Sequence, residues 1–248
     1  MLKEERYDKI LNILDEKDYI TSQELAKMLY VSMPTIRRDL AYLESKKQLM
    51  RSHGGAKRTN TEHIVAPLDF RKNVNHTEKR QISKAASELI EDGSIVFIDA
   101  STTAMNMSDF LSEKQNLTII TNGIPLLISL TKKGIKTYST GGELQENSLA
   151  YAGTLSEEFI KKFNIDICFF SSHGVTQSGM IVDTSLPETQ LRKTVIEQSQ
   201  KKVFLCDSTK FDSKAPYNLM PLEKADFIIT NNIPRLKNIS KNKIISVK

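Results

Sequence analysis

From residue 95 onward the chain is punctuated by short apolar runs, at 95–98, 117–121, 135–138, 165–170, 202–206, 227–230 and 244–247. A helical pattern over 77–91 precedes the first run. Others lie between several of the rest, notably over 186–200. Strands that alternate with helices bury both faces of one sheet and pair in parallel. The expected fold class is therefore α/β, with a mostly parallel sheet spanning residues 77–248.

Residues 1–58 follow another pattern, of three short helices and a hairpin. Tyr7, Ile10, Leu11 and Leu14 recur at helical spacing. "TSQE" reads as a capping box in which Thr21 accepts from the Glu24 amide while Glu24 reaches back. Leu25, Met28 and Leu29 form the apolar face of that second helix. Ser32 can cap a third helix, with Pro34 in its first turn, where a missing N–H costs little. "QLMRSHGGAKR" then alternates and turns at Gly54-Gly55, as a wing would. Residues 59–76 are polar, contain Pro67 and show no sustained periodicity, which marks a linker. At 248 residues, two domains are expected: 1–58 and 77–248.

The third helix divides cleanly on a wheel of about 100° per residue. Ile36, Leu40 and Leu43 form one stripe, with Met33 at its edge. Thr35, Arg38 and Tyr42 lie opposite, flanked by Arg37 and Ala41. A helix that reads DNA needs this division, because the packed face fixes its angle in the major groove. Arginine suits guanine, whose O6 and N7 accept both arms of its planar fork. Arg51 and Lys57 of the wing suit phosphates. Residues 35–58 carry seven Lys and Arg against two acids, an excess equal to the +5 of the whole chain. Two plainer readings stand beside this one. Arg38 can pair with Asp39 or Glu44, and His53 can simply be a turn residue. Three helices with a wing also serve in protein–protein modules.

"VSMPTIRRDLAYLE" followed by "LMRSHGGA" closely resembles the winged helix-turn-helix of the DeoR family of bacterial transcriptional regulators, over about residues 3–58. The resemblance implies that Ser32, Thr35, Arg37 and Arg38 lie at the DNA-reading end and Arg51, His53 and Gly54 in the wing. With Tyr42 and Lys57 these make up the candidate DNA-binding set. One departure is Lys47, where the family usually has Gly. A left-handed Lys there costs about 1 kcal/mol. The resemblance continues more loosely from Thr77 through "IVFIDASTT", "TIITN", "STGGEL" and "LCDSTKF". It implies a C-terminal domain similar in fold to ribose-5-phosphate isomerase and the CoA-transferases, one that senses phosphorylated sugars or related metabolites.

The residues in those strings fit an anion site in their own right. Ser101, Thr102 and Thr103 supply hydroxyls at the expected start of a helix, where unpaired N–H groups favour an anion. Asn122, Gly141-Gly142 and Lys210 each follow another strand, and ligands of open α/β sheets bind beyond the carboxyl ends of the strands. The candidate effector set is Asp99, Ser101, Thr102, Thr103, Asn122, Gly141, Gly142, His173 and Lys210. Ordinary loop chemistry is the alternative, since Ser, Thr, Gly and Asn are common after strands.

An isomerase of that fold needs paired aspartates in a "DGADE"-like loop and a lysine in a "KGGG"-like loop. This chain has "FFSSHGVTQSGMIVD" at the comparable place, with His173 and no acidic pair beside it. Asp183 and Glu188 come later, near a helix start. The family more often has "GAxG" where Ser171-Ser172-His173-Gly174 stand. Cys168 and Cys206 lie in apolar runs without a CxxC, as buried structural thiols do. No catalytic residue, metal site or cofactor is expected. The expected protein is a repressor of sugar-metabolism genes, released or recruited by a phosphorylated sugar. It should be a homo-oligomer, because helix-turn-helix proteins read paired half-sites. The N-terminus lacks an apolar signal core and no apolar run nears about 20 residues, so a cytoplasmic location is expected. The alternative function is a sugar-phosphate isomerase or transferase with an appended helical module.

Overall fold

The computed structural model describes residues 2–17, 19–46, 48–52, 54–58, 68–232 and 240–247. It divides into two compact units, Met1–Val74 and Asn75–Lys248. No helix among the described residues is long and apolar enough to cross a membrane.

The first unit runs α1 (Lys3–Lys17), β1 (Tyr19–Thr21), α2 (Ser22–Leu29), α3 (Met33–Ser45), β2 (Leu49–Ser52), β3 (Gly55–Arg58) and α4 (Leu68–Asn73). Both arms of the expected capping box form. Thr21 Oγ1 accepts from Glu24 N at 3.1 Å, and Glu24 Oε2 accepts from Thr21 N at 2.9 Å. Ser32 caps α3 by accepting from Thr35 N at 3.4 Å. The strands form an antiparallel sheet in the order β1-β3-β2, so the hairpin is joined by a short strand before α2. Gly55 is required by that closure, since a Cβ there would stand 2.2 Å from the Ile20 carbonyl oxygen. Ile10, Leu14, Ile20, Leu25, Ile36, Leu40, Leu43 and Leu49 are fully buried together. Met28, expected on the apolar face of α2, is instead exposed.

The expected linker over 59–76 needs correction. Residues 68–73 form a helix with Leu68 buried, and the next helix starts at His76. Leu68 is buried on a helix of only six residues, which is too short for a periodicity to register. Residues 59–67, Lys47 and His53 lie outside the described residues.

The second unit runs α5 (His76–Glu88), β4 (Ile95–Ile98), β5 (Thr118–Thr121), α6 (Ile124–Lys132), β6 (Lys136–Ser139), β7 (Glu143–Gln145), β8 (Ala150–Ala152), α7 (Thr154–Ile160), β9 (Ile165–Phe170), β10 (Gly174–Val175), β11 (Met180–Asp183), α8 (Leu186–Gln198), β12 (Ser199–Leu205), β13 (Tyr217–Pro221), β14 (Phe227–Thr230) and β15 (Ile244–Ser246). Seven strands form one parallel sheet in the order β15-β14-β12-β9-β4-β5-β6. The α/β class read from the sequence is the class found. Strand β4 is an interior strand and the first of the sheet in chain order. The chain builds outward from it through β5 and β6 on one side, then through β9, β12, β14 and β15 on the other. The order therefore reverses between β4 and β9, and ligands of open α/β sheets bind beyond the carboxyl ends at such a reversal.

Alternate residues of each strand face opposite layers. Val96, Ile98, Ile167 and Phe169 pack with Ile82 and Ala86 of α5 and Leu126 and Leu130 of α6. Phe97, Cys168, Phe170 and Phe204 pack with Leu191 and Val195 of α8 and with the small antiparallel sheet β10-β11-β13. Cys168 and Cys206 are free and buried, and burial pushes both thiols up to about 12.

One ion pair holds the first unit's helices in register. Arg6 of α1 donates to Asp39 of α3 through Nε at 2.5 Å and a terminal nitrogen at 3.0 Å. Asp39 is 2% exposed. Removing the guanidinium strands a buried carboxylate, so Arg6→Ala is expected to destabilise this unit by about 3 kcal/mol. Urea unfolding of the full chain reads it as a lower midpoint; an unchanged midpoint would show the pair to be inert.

Candidate functional site

The outward side of α3 carries the sequence-predicted reading residues. Arg37 and Arg38 are exposed, and among the described residues neither guanidinium has a partner. The alternative pairing of Arg38 with Asp39 or Glu44 does not occur. Asp39 is taken by Arg6, and Glu44 by Arg51. Thr35 Oγ1 lies 2.9 Å from the Ser32 hydroxyl, at the start of the helix.

Two members of the expected set are differently engaged. Tyr42 was expected beside Arg38 as an open phenol. Its ring stacks on Tyr7 of α1 at 4.7 Å and 12°, with the Lys3 and Lys46 ammonium groups 5.3 and 5.6 Å from its centre. Wheel position alone could not show that a second aromatic on α1 covers it. Arg51 donates through Nε to Glu44 at 2.8 Å and also to the Arg37 carbonyl at 3.3 Å. The wing is thereby fastened to α3, and the Arg51 fork is partly spent on that bond. Gly54 closes the wing turn, with its carbonyl accepting from Ser22 N at 2.9 Å. Lys57 pairs in register with Tyr19 and Met50.

In the second unit the residues after β4 do not begin an α-helix. Residues Ala104–Phe110 form a seven-residue 3-10 segment. Three amides of this loop are taken within it. Ser101 N donates to Asp99 Oδ1 at 3.0 Å, Ala104 N to Ser101 Oγ at 3.1 Å, and Met105 N to the Ser101 carbonyl at 3.0 Å. The α-helix that the helix-dipole account of this loop assumes is replaced by this 3-10 segment. Asp99, 1% exposed, is a scaffold. Its second oxygen accepts from Ser171 N at 3.0 Å and from Arg192 Nε at 3.2 Å.

Arg192 was missed in the sequence. Besides Asp99, its guanidinium donates to Asp183 at 2.8 Å and to Glu188 at 3.0 Å, all within a nearly closed site. Burial pushes its pKa down, but the three carboxylates outweigh that and hold it above the ordinary arginine value. The acids gain further donors, Thr184 N on Asp183 at 2.7 Å and Ser148 Oγ on Glu188 at 2.8 Å. Asp183 and Glu188, read as helix-start acids, are thus gathered with Asp99 around one cation. The i,i+4 spacing of Glu188 and Arg192 was the available signal, but it could not tell a buried pair from an exposed one.

The other predicted residues divide by what they touch. Asn122 bridges β4 and β8, accepting from Ala100 N at 3.0 Å and donating to the Tyr151 carbonyl at 3.1 Å. Gly142 has φ +108°, and a Cβ there would stand 2.2 Å from Ser156 Oγ, so packing sets this glycine rather than ligand approach. Gly141, at φ +62°, has open space, and its carbonyl accepts from the Ser156 hydroxyl. Thr102 Oγ1 accepts from Lys79 Nζ at 3.1 Å. Thr103 is fully buried, with a hydroxyl that has no partner in the structure. His173 is exposed. Lys210 joins two loops, donating to Ser171 Oγ at 2.9 Å and to the Ser172 carbonyl at 2.6 Å. Lys79, Ser171 and Asp207 were not foreseen. Burial pushes the Asp207 carboxyl up, but Lys210, Thr209 and Lys79 more than offset this and hold it below the usual carboxylate range.

A winged helix-turn-helix joined to an α/β domain with polar loops at its strand switch is the layout of a DNA-binding transcriptional regulator with a sensor domain. Residues 6–62 match the DeoR-like helix-turn-helix domain, and residues 74–232 match the DeoR C terminal sensor domain. The chain belongs to the DeoR family of transcriptional regulators. It is 33% identical to the HTH-type transcriptional regulator GolR of Listeria innocua, over 92% of this chain and 90% of that protein. It is 31% identical to the lactose phosphotransferase system repressor of Staphylococcus epidermidis, over 94% and 93%. It is 28% identical to the glycerol-3-phosphate regulon repressor of Escherichia coli, over 94% and 93%. A solved ribose 5-phosphate isomerase from Methanocaldococcus jannaschii is similar at 17% identity over 55% of each chain, with a TM-score of 0.42. The reading of an isomerase with an appended module gives way to the regulator.

The Arg192 cluster is expected to be indispensable to the second unit. Arg192→Met leaves three buried carboxylates without their cation and should destabilise the fold by about 3–5 kcal/mol. Adding Asp183→Asn should restore part of that loss. Urea midpoints for the two variants check this, and a double variant no more stable than the single would disprove the repulsion.

Proposed function

We propose that this regulator is a repressor of sugar-metabolism genes whose grip on its operator is set by a phosphorylated sugar or a close relative. The observation that carries the reading is the half-buried Lys210. It places an ammonium at the carboxyl ends of β9 and β12, on the Ser171 hydroxyl and the Ser172 carbonyl. Lys79 adds a second ammonium at Thr102. Hydroxyls with a fixed ammonium suit a phosphate, and polar loops at a strand switch suit the sugar. The names of two relatives, a lactose phosphotransferase system repressor and a glycerol-3-phosphate regulon repressor, support the same metabolite class. The proposed protein is a homo-oligomer on paired half-sites, with Thr35, Arg37 and Arg38 at base edges and Lys57 at phosphates. Its effector must favour one arrangement of the two units, because equal affinity for both would shift nothing.

Two measurements test this. On a duplex selected from a random pool, Arg38→Ala should weaken binding by about 1–3 kcal/mol and relax preference at one base position. Equal weakening on every sequence would make Arg38 a phosphate contact instead. A thermal-shift screen of aldose, ketose and polyol phosphates should find one that stabilises the native chain, by about 2.7 kcal/mol at a hundredfold excess over Kd. Lys210→Met should remove that stabilisation while leaving duplex binding in place. Retained stabilisation would move the site elsewhere.

A further inference from the structure

Asn75 is the first residue of the second unit, and its backbone is left-handed, with φ 51° and ψ 41°. Asparagine tolerates that region better than most residues. It occupies the N-cap of α5, where an Asn side chain ordinarily accepts from its own helix. Here it makes no such bond. Its amide instead donates to Asp207 Oδ1 at 3.1 Å and to Thr209 Oγ1 at 3.2 Å. Both acceptors lie on the loop after β12, the loop that carries Lys210. Thr209 N also donates to Asp207 Oδ1 at 3.1 Å, so the loop and the Asn75 amide share one carboxylate oxygen. One turn along α5, Lys79 reaches Thr102 on the loop after β4. Two loops of the candidate effector site are therefore fastened to the first turn of α5, at the place where the chain passes from one unit to the other.

We infer that Asn75 is the positioning residue that links effector occupancy to DNA binding, because the loop at Asp207–Lys210 holds its backbone in the left-handed state. The inference rests on the effector reading of Lys210 given above. An anion that draws on Lys210 competes with the contacts that hold Asp207. Loss of the Asp207 and Thr209 acceptors frees Asn75 to leave the left-handed region. A change of φ and ψ at one element-terminal residue re-aims everything before it, which is how hinges amplify small shifts. The sacrificed N-cap bond fits this role. A cap made within the helix would hold α5 whatever the loop did.

The test uses the full chain, the selected duplex, and a panel of ribose-5-phosphate, fructose-6-phosphate and glycerol-3-phosphate scored by thermal shift. In the unsubstituted chain, the panel member that stabilises it should change duplex affinity about five-fold or more. Asn75→Gly keeps the left-handed state accessible and deletes only the amide. This variant should melt and bind the same sugar phosphate much as before, yet the sugar phosphate should change its duplex affinity by less than about two-fold. A response equal to that of the unsubstituted chain overturns the inference. If no panel member stabilises the unsubstituted chain, the effector reading fails on that arm and a cycle without ligand decides the link. Asn75→Gly, Thr209→Val and the double variant are compared on duplex affinity. Singles that each alter affinity, with a double that does no more than one of them, support the link. Additive effects, or none, reject it.

Discussion

The second unit depends on a single guanidinium. Arg192 sits among three carboxylates supplied by different segments: Asp99 at the end of β4, Asp183 at the end of β11 and Glu188 on α8. Buried charge is tolerated only when it is paired and fully hydrogen-bonded. Here every acid also accepts from a backbone amide or a hydroxyl. The cluster consequently ties β4, the small sheet and α8 together where the strand order reverses. Asp99 extends this control to both neighbouring loops, because it holds the amides of Ser101 and Ser171.

The same cluster limits where a negative ligand can sit. Three carboxylates against one guanidinium leave a negative field beside Asp99, which opposes an anion. The amides of Ser101, Ala104 and Met105 in the loop after β4 are spent on that loop's own turns. What can attract an anion lies on the far side of Ser171, where Lys210 meets the loop after β9, and at the first turn of α5, where Lys79 meets Thr102. The proposed phosphate therefore belongs with the ammonium groups. The cluster's acids are better suited to sugar hydroxyls.

Much of this architecture was legible in the sequence. The runs at Ile95–Ile98, Ile165–Phe170 and Phe227–Thr230 coincide with strands because a β-branched or aromatic run buried on both faces has few other uses. The buried stripe of α3 was readable because Ile36, Leu40 and Leu43 keep helical spacing. What was hidden is contact between residues far apart in the chain. Asp99 and Arg192 are 93 positions apart, and Asn75 and Asp207 are 132 apart. No local pattern announces either pair. The stretch after Thr103 looked like an amphipathic helix, but Ser101 claims the amides of Ala104 and Met105, and a 3-10 segment stands there. Tyr42 shows the same limit, since its wheel position was right and only the fold brings Tyr7 against it.

Charge is distributed in the first unit so that scaffold and reader are kept distinct. Arg6 is neutralised by Asp39 and Arg51 by Glu44, both within bonding distance and both joining elements that must keep their mutual angle. The acids of α3 are exhausted by these two pairings. The guanidinium groups of Arg37 and Arg38 are left unpaired among the described residues, side by side on the face opposite Ile36 and Leu40. An unpaired arginine on a fixed helix has surrendered little of its hydrogen-bonding capacity to the protein, so its five donors remain for a base edge or a phosphate. Pairing the structural arginines thus does two things at once. It fixes the angle at which α3 is presented, and it leaves the unmatched positive charge of this helix on the exposed side proposed to read DNA.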